Sequence, residues 1–131
     1  MHELTNAFYR GREKLKKKQI GAYFDNWAKP KAACHVGAII WGFSSKLPAK
    51  GTPLQIIFSD YPEFFGEKLV EIPCEHKGNE ITSAPLGPEQ DVTNPNMGYP
   101  ASILVHLNDE HDGRSWPDKR IALWLDEALT I

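Results

Sequence analysis

The chain has 131 residues, 41% hydrophobic and 24% charged, with a net charge of −2; that length and balance fit one globular domain, residues 1–131, with core enough to fold unstapled. No run approaches the roughly 18 apolar residues of a membrane span, and the polar, basic start lacks the apolar centre of a secretory signal, so no membrane partner is expected and the cytoplasm is the expected location. Charge is uneven: residues 1–31 hold eight Lys and Arg against three acids, a net of +5, and the other hundred hold a net of −7, a basic arm on an acidic body.

Residues 3–18 read as the first helix. Leu4, Ala7, Phe8, Gly11 and Leu15 fall near one stripe, and Arg10, Arg12, Lys14, Lys16, Lys17 and Lys18 cover the rest. Positive charge gathers toward its C-terminal end, where the helix dipole favours it, and Gly21 stops it. Gly21 to Asp25 is a short apolar and aromatic bend. Lys29-Pro30-Lys31 is a break, because proline pushes its predecessor out of the helical region. Residues 32–43 are the most hydrophobic stretch. Ala33, Val36, Gly37, Ile40 and Trp41 take helical spacing, and a helix apolar on nearly all sides belongs at the centre of a core. Gly42 and Ser44-Ser45 close it.

Pro48, Gly51 and Pro53 punctuate a loop over 46–53. Leu54 to Phe58 is too short for periodicity to choose between strand and helical turn. Asp60 to Gly66 reads as a helical turn with Pro62 in its first part. Residues 68–73 and 79–82 flank Glu75-His76-Lys77-Gly78 as the arms of a small hairpin. The stretch 84–100 holds four prolines and two glycines and reads as an irregular loop, with Met97 and Tyr99 its exposed apolar candidates. A helix over 103–109, a polar corner and a last helix follow. Ser115 is the expected N-cap of that last helix, with Asp118 completing a capping box. Ile121, Trp124, Leu125 and Ala128 repeat at i, i+3, i+4 and i+7 as its buried face.

The densest polar cluster runs from His106 through Asn108, Asp109, Glu110, His111 and Asp112 to Gly113. Read as a calcium loop with Gly113 at the sixth position, it places Lys119 where a bidentate glutamate is required, and the pattern fails. A zinc site drawn from His106, His111 and Cys74-x-His76 would have close-spaced ligands only in the last pair, short of the two-sided pairs such a site uses. No metal and no cofactor is expected, and Asn108 and Asp109 are read as hydrogen-bonding the corner between the two C-terminal helices. Cys34 and Cys74 are expected as free thiols. Cys34 sits where the central helix begins, so the helix field favours its thiolate. A hydrolase built on it would use His35 or His106 as base and Asp109 as the orienting carboxylate.

Three pieces together resemble a family of small uncharacterised proteins of bacteria and their phages. They are Gly21-Ala22-Tyr23, the helix start Ala33-Cys34-His35-Val36-Gly37-Ala38, and Leu107-Asn108-Asp109 followed by Trp116 and Ile121-Ala122-x-Trp124-Leu125. The likeness covers roughly 15–42 and 102–128; His35 and the Pro-rich middle do not match it. It implies a Cys-x-x-Gly-Ala helix joined to a C-terminal Asn-Asp helix pair, in a bacterial or phage setting, and brings no activity with it.

The expected fold is α+β and α-dominated. A central hydrophobic helix is packed by the N-terminal helix and the C-terminal helix pair, beside a minor β hairpin. The expected function is that of a small interaction protein that binds a macromolecular partner, since motifs for chemistry are lacking and long shaped loops commonly carry recognition. Its binding residues would be Arg10, Arg12, Lys14, Lys17 and Lys18, facing an anionic partner, with Met97 and Tyr99. Nucleic acid is the less favoured partner, because aromatic residues other than Phe8 and Tyr9 do not interleave the basic run. The enzymatic alternative is the Cys34 hydrolase.

Overall fold

The computed structural model describes residues 1–43, 47–74, 97–109 and 114–130. The protein is α+β and helix-dominated, in the order α1 (Glu3–Lys14), β1 (Lys17–Lys18), β2 (Ala32–Ala33), α2 (His35–Phe43), α3 (Leu54–Ile57), β3 (Val70–Glu71), β4 (Met97–Gly98), α4 (Pro100–Asp109) and α5 (Asp118–Thr130). The chain divides into two compact units, one made of Met1–Gly51 and Pro117–Ile131, the other of Thr52–Trp116. Among the described residues no helix is long and apolar enough to cross a membrane.

In the first unit α1 buries Leu4, Thr5, Ala7, Phe8, Gly11 and Arg12, the spacing of one helical face. That face packs on α2, where His35 to Ile40 are buried without a break. The two helices cross on glycine. A Cβ on Gly11 would stand 1.7 Å from the Ala38 carbonyl oxygen, and one on Gly42 1.9 Å from that of Ala7, so the backbones touch where no side chain fits. α5 packs on α1 through its own apolar face of Ile121, Ala122, Leu125, Ala128 and Leu129. The start of the chain is tied to it, because the His2 N–H donates to Asp126 Oδ1 at 2.7 Å while His2 Nδ1 caps α1 by accepting from Leu4 N–H.

α1 ends at Lys14, short of the expected Lys18. Lys17 and Lys18 instead run extended and pair in parallel with Ala32 and Ala33. The reason is Arg12, whose Nη1 reaches past the helix end to donate to the carbonyls of Leu15, Lys17 and Ala33. Intervening residues 25–31 are shaped by two side chains: Asp25 Oδ1 accepts from the N–H groups of Lys31 and Ala32, and Asn26 Oδ1 from those of Ala28 and Lys29, as these residues do at turns.

In the second unit β3 pairs antiparallel with β4, Val70 opposite Gly98 and Glu71 opposite Met97. The expected hairpin had residues 79–82 as the partner of this strand. The described ladder uses 97–98, and the turn at 75–78 with the arm 79–82 lies outside the described residues. Phe58 and Phe64 meet edge to face at 4.7 Å, and Phe65 and Tyr99 lie 5.6 Å apart. α4, tied to Phe64 by the Ala101 N–H, is buried at every residue from Pro100 to Asn108.

Several local expectations need correction. Arg12 is not a surface charge: it is 4% exposed, drawn inside by the carbonyls it binds. Tyr99 is 5% exposed, not an exposed loop residue, because its ring packs on Phe65. Ser115 is not the N-cap of α5, which begins at Asp118, its first turn closed on the Pro117 carbonyl by Arg120 and Ile121 N–H. Trp124 is half-buried; the anchors of α5 are Ile121 and Leu125, each fully covered.

Candidate functional site

Cys34 is the residue immediately before α2 and acts as its N-cap. Its carbonyl accepts the Ala38 N–H at 2.8 Å, and its Sγ accepts the Gly37 N–H at 3.3 Å, the bond pattern of a capping side chain with sulfur in place of oxygen. Its own N–H donates to the Tyr23 carbonyl at 3.0 Å. That carbonyl lies so close to α2 that a Cβ on Gly37 would stand 2.1 Å from it. The Cys-x-x-Gly spacing therefore has a mechanical reason: the third residue past the cap gives its N–H to sulfur and leaves room for the Tyr23 backbone.

Around this cap lies a buried polar group. Arg12 Nη2 donates to His35 Nδ1 at 3.1 Å, which assigns the imidazole proton to Nε2, where it meets no hydrogen-bond partner among the described residues. Burial and the adjacent guanidinium hold the His35 pKa well below its ordinary 6.5, so the ring is neutral at physiological pH. Arg12 Nε stands 3.7 Å from Asp118 Oδ1, and Lys18 Nζ 4.0 Å from the same oxygen. Burial, and to a lesser degree the neighbouring Cys34, pushes the Tyr23 hydroxyl up to about 12. Phe8 lies against both side chains, its ring 5.7 Å from the Arg12 guanidinium and 5.7 Å from the His35 ring.

The second unit holds another thiol and imidazole in contact. Cys74 Sγ and His106 Nε2 are 2.8 Å apart and buried. His106 thus has a cysteine partner in Cys74, a pairing the expected hydrolase does not include. Two residues further along α4, Asn108 Nδ2 donates to Asp109 Oδ1 at 2.8 Å, and Arg114 Nε donates to the Asp109 carbonyl at 2.7 Å. Asp109 is the last residue of α4; the loop amides that it and Asn108 are expected to bond, at 110–113, lie outside the described residues.

Of the expected binding residues, Arg10, Lys14 and Lys17 are exposed and Lys18 is partly covered. Arg10 pairs with Glu3 at 3.2 Å and donates to the Gly42 carbonyl, so Lys14 and Lys17 are the freer cations. Met97 is half-buried in β4. Among the described residues no three His, Cys, Asp or Glu gather as a metal ion would need; His76, Glu110, His111 and Asp112 lie outside those residues.

The thiol at the α2 cap was legible as a helix-start cysteine. Its setting with Arg12 was not, since an Arg in a basic run carries no sign that it turns inward. The pairing of Cys74 with His106 joins residues 32 positions apart, which no local spacing marks. Compared with known proteins, the chain matches no family model, no curated protein and no solved structure.

Proposed function

We propose that this chain is a small cytoplasmic interaction protein, encoded by a bacterium or its phage, that binds an acidic surface of a protein partner through its first unit. The observation that carries the reading is that charge separates with the fold. The unit of Met1–Gly51 and Pro117–Ile131 contains twelve Lys and Arg against six Asp and Glu, a net of +6; the unit of Thr52–Trp116 contains three against eleven, a net of −8. Lys14, Lys16 and Lys17 stand exposed on the basic unit without an ion pair among the described residues. A basic face attracts an anionic one over the distance of a Debye length, which speeds encounter and selects partners. An acidic unit on the same chain repels a polyanion such as DNA, which favours a folded acidic protein over nucleic acid.

The hydrolase reading gains less support. The Cys34 thiol already caps α2, and the His35 nitrogen that would act as base already accepts from Arg12.

The reading is tested by immobilising the purified protein, passing bacterial lysate over it with and without nuclease, and eluting with rising salt. A bound protein is expected to elute at moderate salt regardless of nuclease, and to be lost from a variant with Lys14, Lys17 and Lys18 changed to Glu. Equal capture by that variant overturns the proposal, and capture abolished by nuclease replaces the protein partner with nucleic acid.

A further inference from the structure

Cys74 and His106 have no part in the binding proposed above, yet they form a buried thiol–imidazole contact in the molecule. The thiol follows β3 by three residues, and the imidazole projects from α4, a helix held by the Ala101 bond to Phe64 and the Tyr99 contact with Phe65. Both groups have covered neighbours in the chain: Ile72 before the thiol is buried, as are Val105 and Leu107 beside the imidazole. At 2.8 Å a thiol and an imidazole nitrogen are within reach of a direct proton transfer. Moving it from sulfur to nitrogen creates a thiolate and an imidazolium, each compensating the other's charge where water cannot.

We propose that Cys74 is an oxidation site for a small peroxide, with His106 as the group that activates it. The thiolate sulfur attacks one oxygen of hydrogen peroxide, a sulfur–oxygen bond forms, and the oxygen–oxygen bond breaks. The departing hydroxide takes the imidazolium proton of His106 and leaves as water. Cys74 becomes a sulfenic acid, oxidised by two electrons as the peroxide is reduced by two. Burial selects the oxidant. Cys74 is 8% exposed, which favours a small oxidant such as hydrogen peroxide over a bulky electrophile. Cys34 provides the internal contrast, since its sulfur accepts the Gly37 N–H at a helix cap instead of touching an imidazole at 2.8 Å.

The test is peroxide titration of the folded full chain, after which the peroxide is quenched, the chain is denatured in the presence of dimedone to trap sulfenic acid, and the labelled cysteine is located by mass spectrometry. Cys74 is expected to label at peroxide doses at least tenfold below those needed for Cys34. Its oxidation rate should rise with a midpoint below the ordinary thiol value of about 8.5. His106→Gln should slow Cys74 at least tenfold while leaving Cys34 unchanged, with circular dichroism checking that the variant folds. If the variant does not fold, the pH profile of the wild-type chain decides alone. Equal labelling of the two cysteines, no labelling of Cys74 after peroxide treatment of the folded chain, or a midpoint at or above about 8.5 overturns the proposal.

Discussion

The Arg12 guanidinium and the His35 imidazole meet at 3.1 Å inside the first unit, with the histidine as acceptor. A cation there can keep that bond only while the ring stays neutral, because a protonated ring would offer a second positive charge and no lone pair. The contact therefore links the protonation of one side chain to the integrity of the α1–α2 core.

The first prediction concerns acid. The folded His35 pKa lies well below 6.5, whereas the unfolded chain titrates near the ordinary value, so between the two the unfolded state holds the extra proton. Stability is full above pH 6.5 and falls as the pH drops below it, with a limiting slope of about 1.4 kcal/mol per pH unit from this one group. Urea midpoints at pH 7.5 and 5.5 should differ more for the wild type than for His35→Gln, whose amide oxygen can still accept from Arg12. An identical acid loss in the variant would show that His35 is not the group responsible.

A second prediction separates two neighbours in the basic run. Arg12→Lys should cost about 3–5 kcal/mol, because a single ammonium cannot serve the carbonyls of Leu15, Lys17 and Ala33 together with His35 and so leaves buried acceptors bare. Lys14→Glu, on the exposed face, should stay within about 0.5 kcal/mol. Thermal unfolding of both variants checks the contrast; similar losses would place Arg12 at the surface.

The third prediction sets packing against propensity. Alanine is favoured over glycine inside a helix by about 1 kcal/mol, yet Gly11→Ala and Gly42→Ala should each destabilise by roughly 2 kcal/mol or more, since the added methyl meets backbone that cannot swing aside. Gly21, at φ +81° with nothing within 4 Å of its would-be Cβ, should lose about 1–2 kcal/mol as alanine through backbone strain alone. Denaturant unfolding of the three variants reads the order. A stabilised Gly11→Ala would mean that the helices do not cross there.

Those glycines also show what the sequence could and could not disclose. The apolar stripe of α1, the all-round apolar α2 and the repeating face of α5 were readable because a helix imposes its period on whatever it buries. Gly11 could be placed on the buried stripe, but the tightness of the crossing depends on Ala38 and Ala7 carbonyls across it. The length of α1 was overestimated because Lys16 to Lys18 look helical until the reach of Arg12 past the helix end is known. Asn108 and Asp109 do hydrogen-bond locally, to one another, but the corner they are expected to bridge, residues 110–113, lies outside the described residues. The partners of His106 and Arg12 depend on long-range pairing, which leaves no periodic trace.

The fourth prediction concerns α5. Leu125→Ala, at a fully covered position, should cost about 2–5 kcal/mol through lost burial and the cavity left behind. Trp124→Ala should cost less despite the larger side chain, because its side chain is only partly covered. Calorimetric unfolding of both settles the order, and a greater loss at Trp124 would reverse the assignment of the anchor.

The bond from the His2 N–H to Asp126 spans 124 positions of chain, and the unit it belongs to is interrupted by the whole of Thr52–Trp116. During synthesis α1 and α2 leave the ribosome long before α5 exists to cover them, while every residue of the inserted unit has already been made. The inserted unit can therefore settle first, and a settled insert shortens the free loop that must close before α5 finds α1. The basic unit can thus close only after the whole inserted unit and α5 have been made, so its folding depends on a segment that follows the acidic unit in the chain.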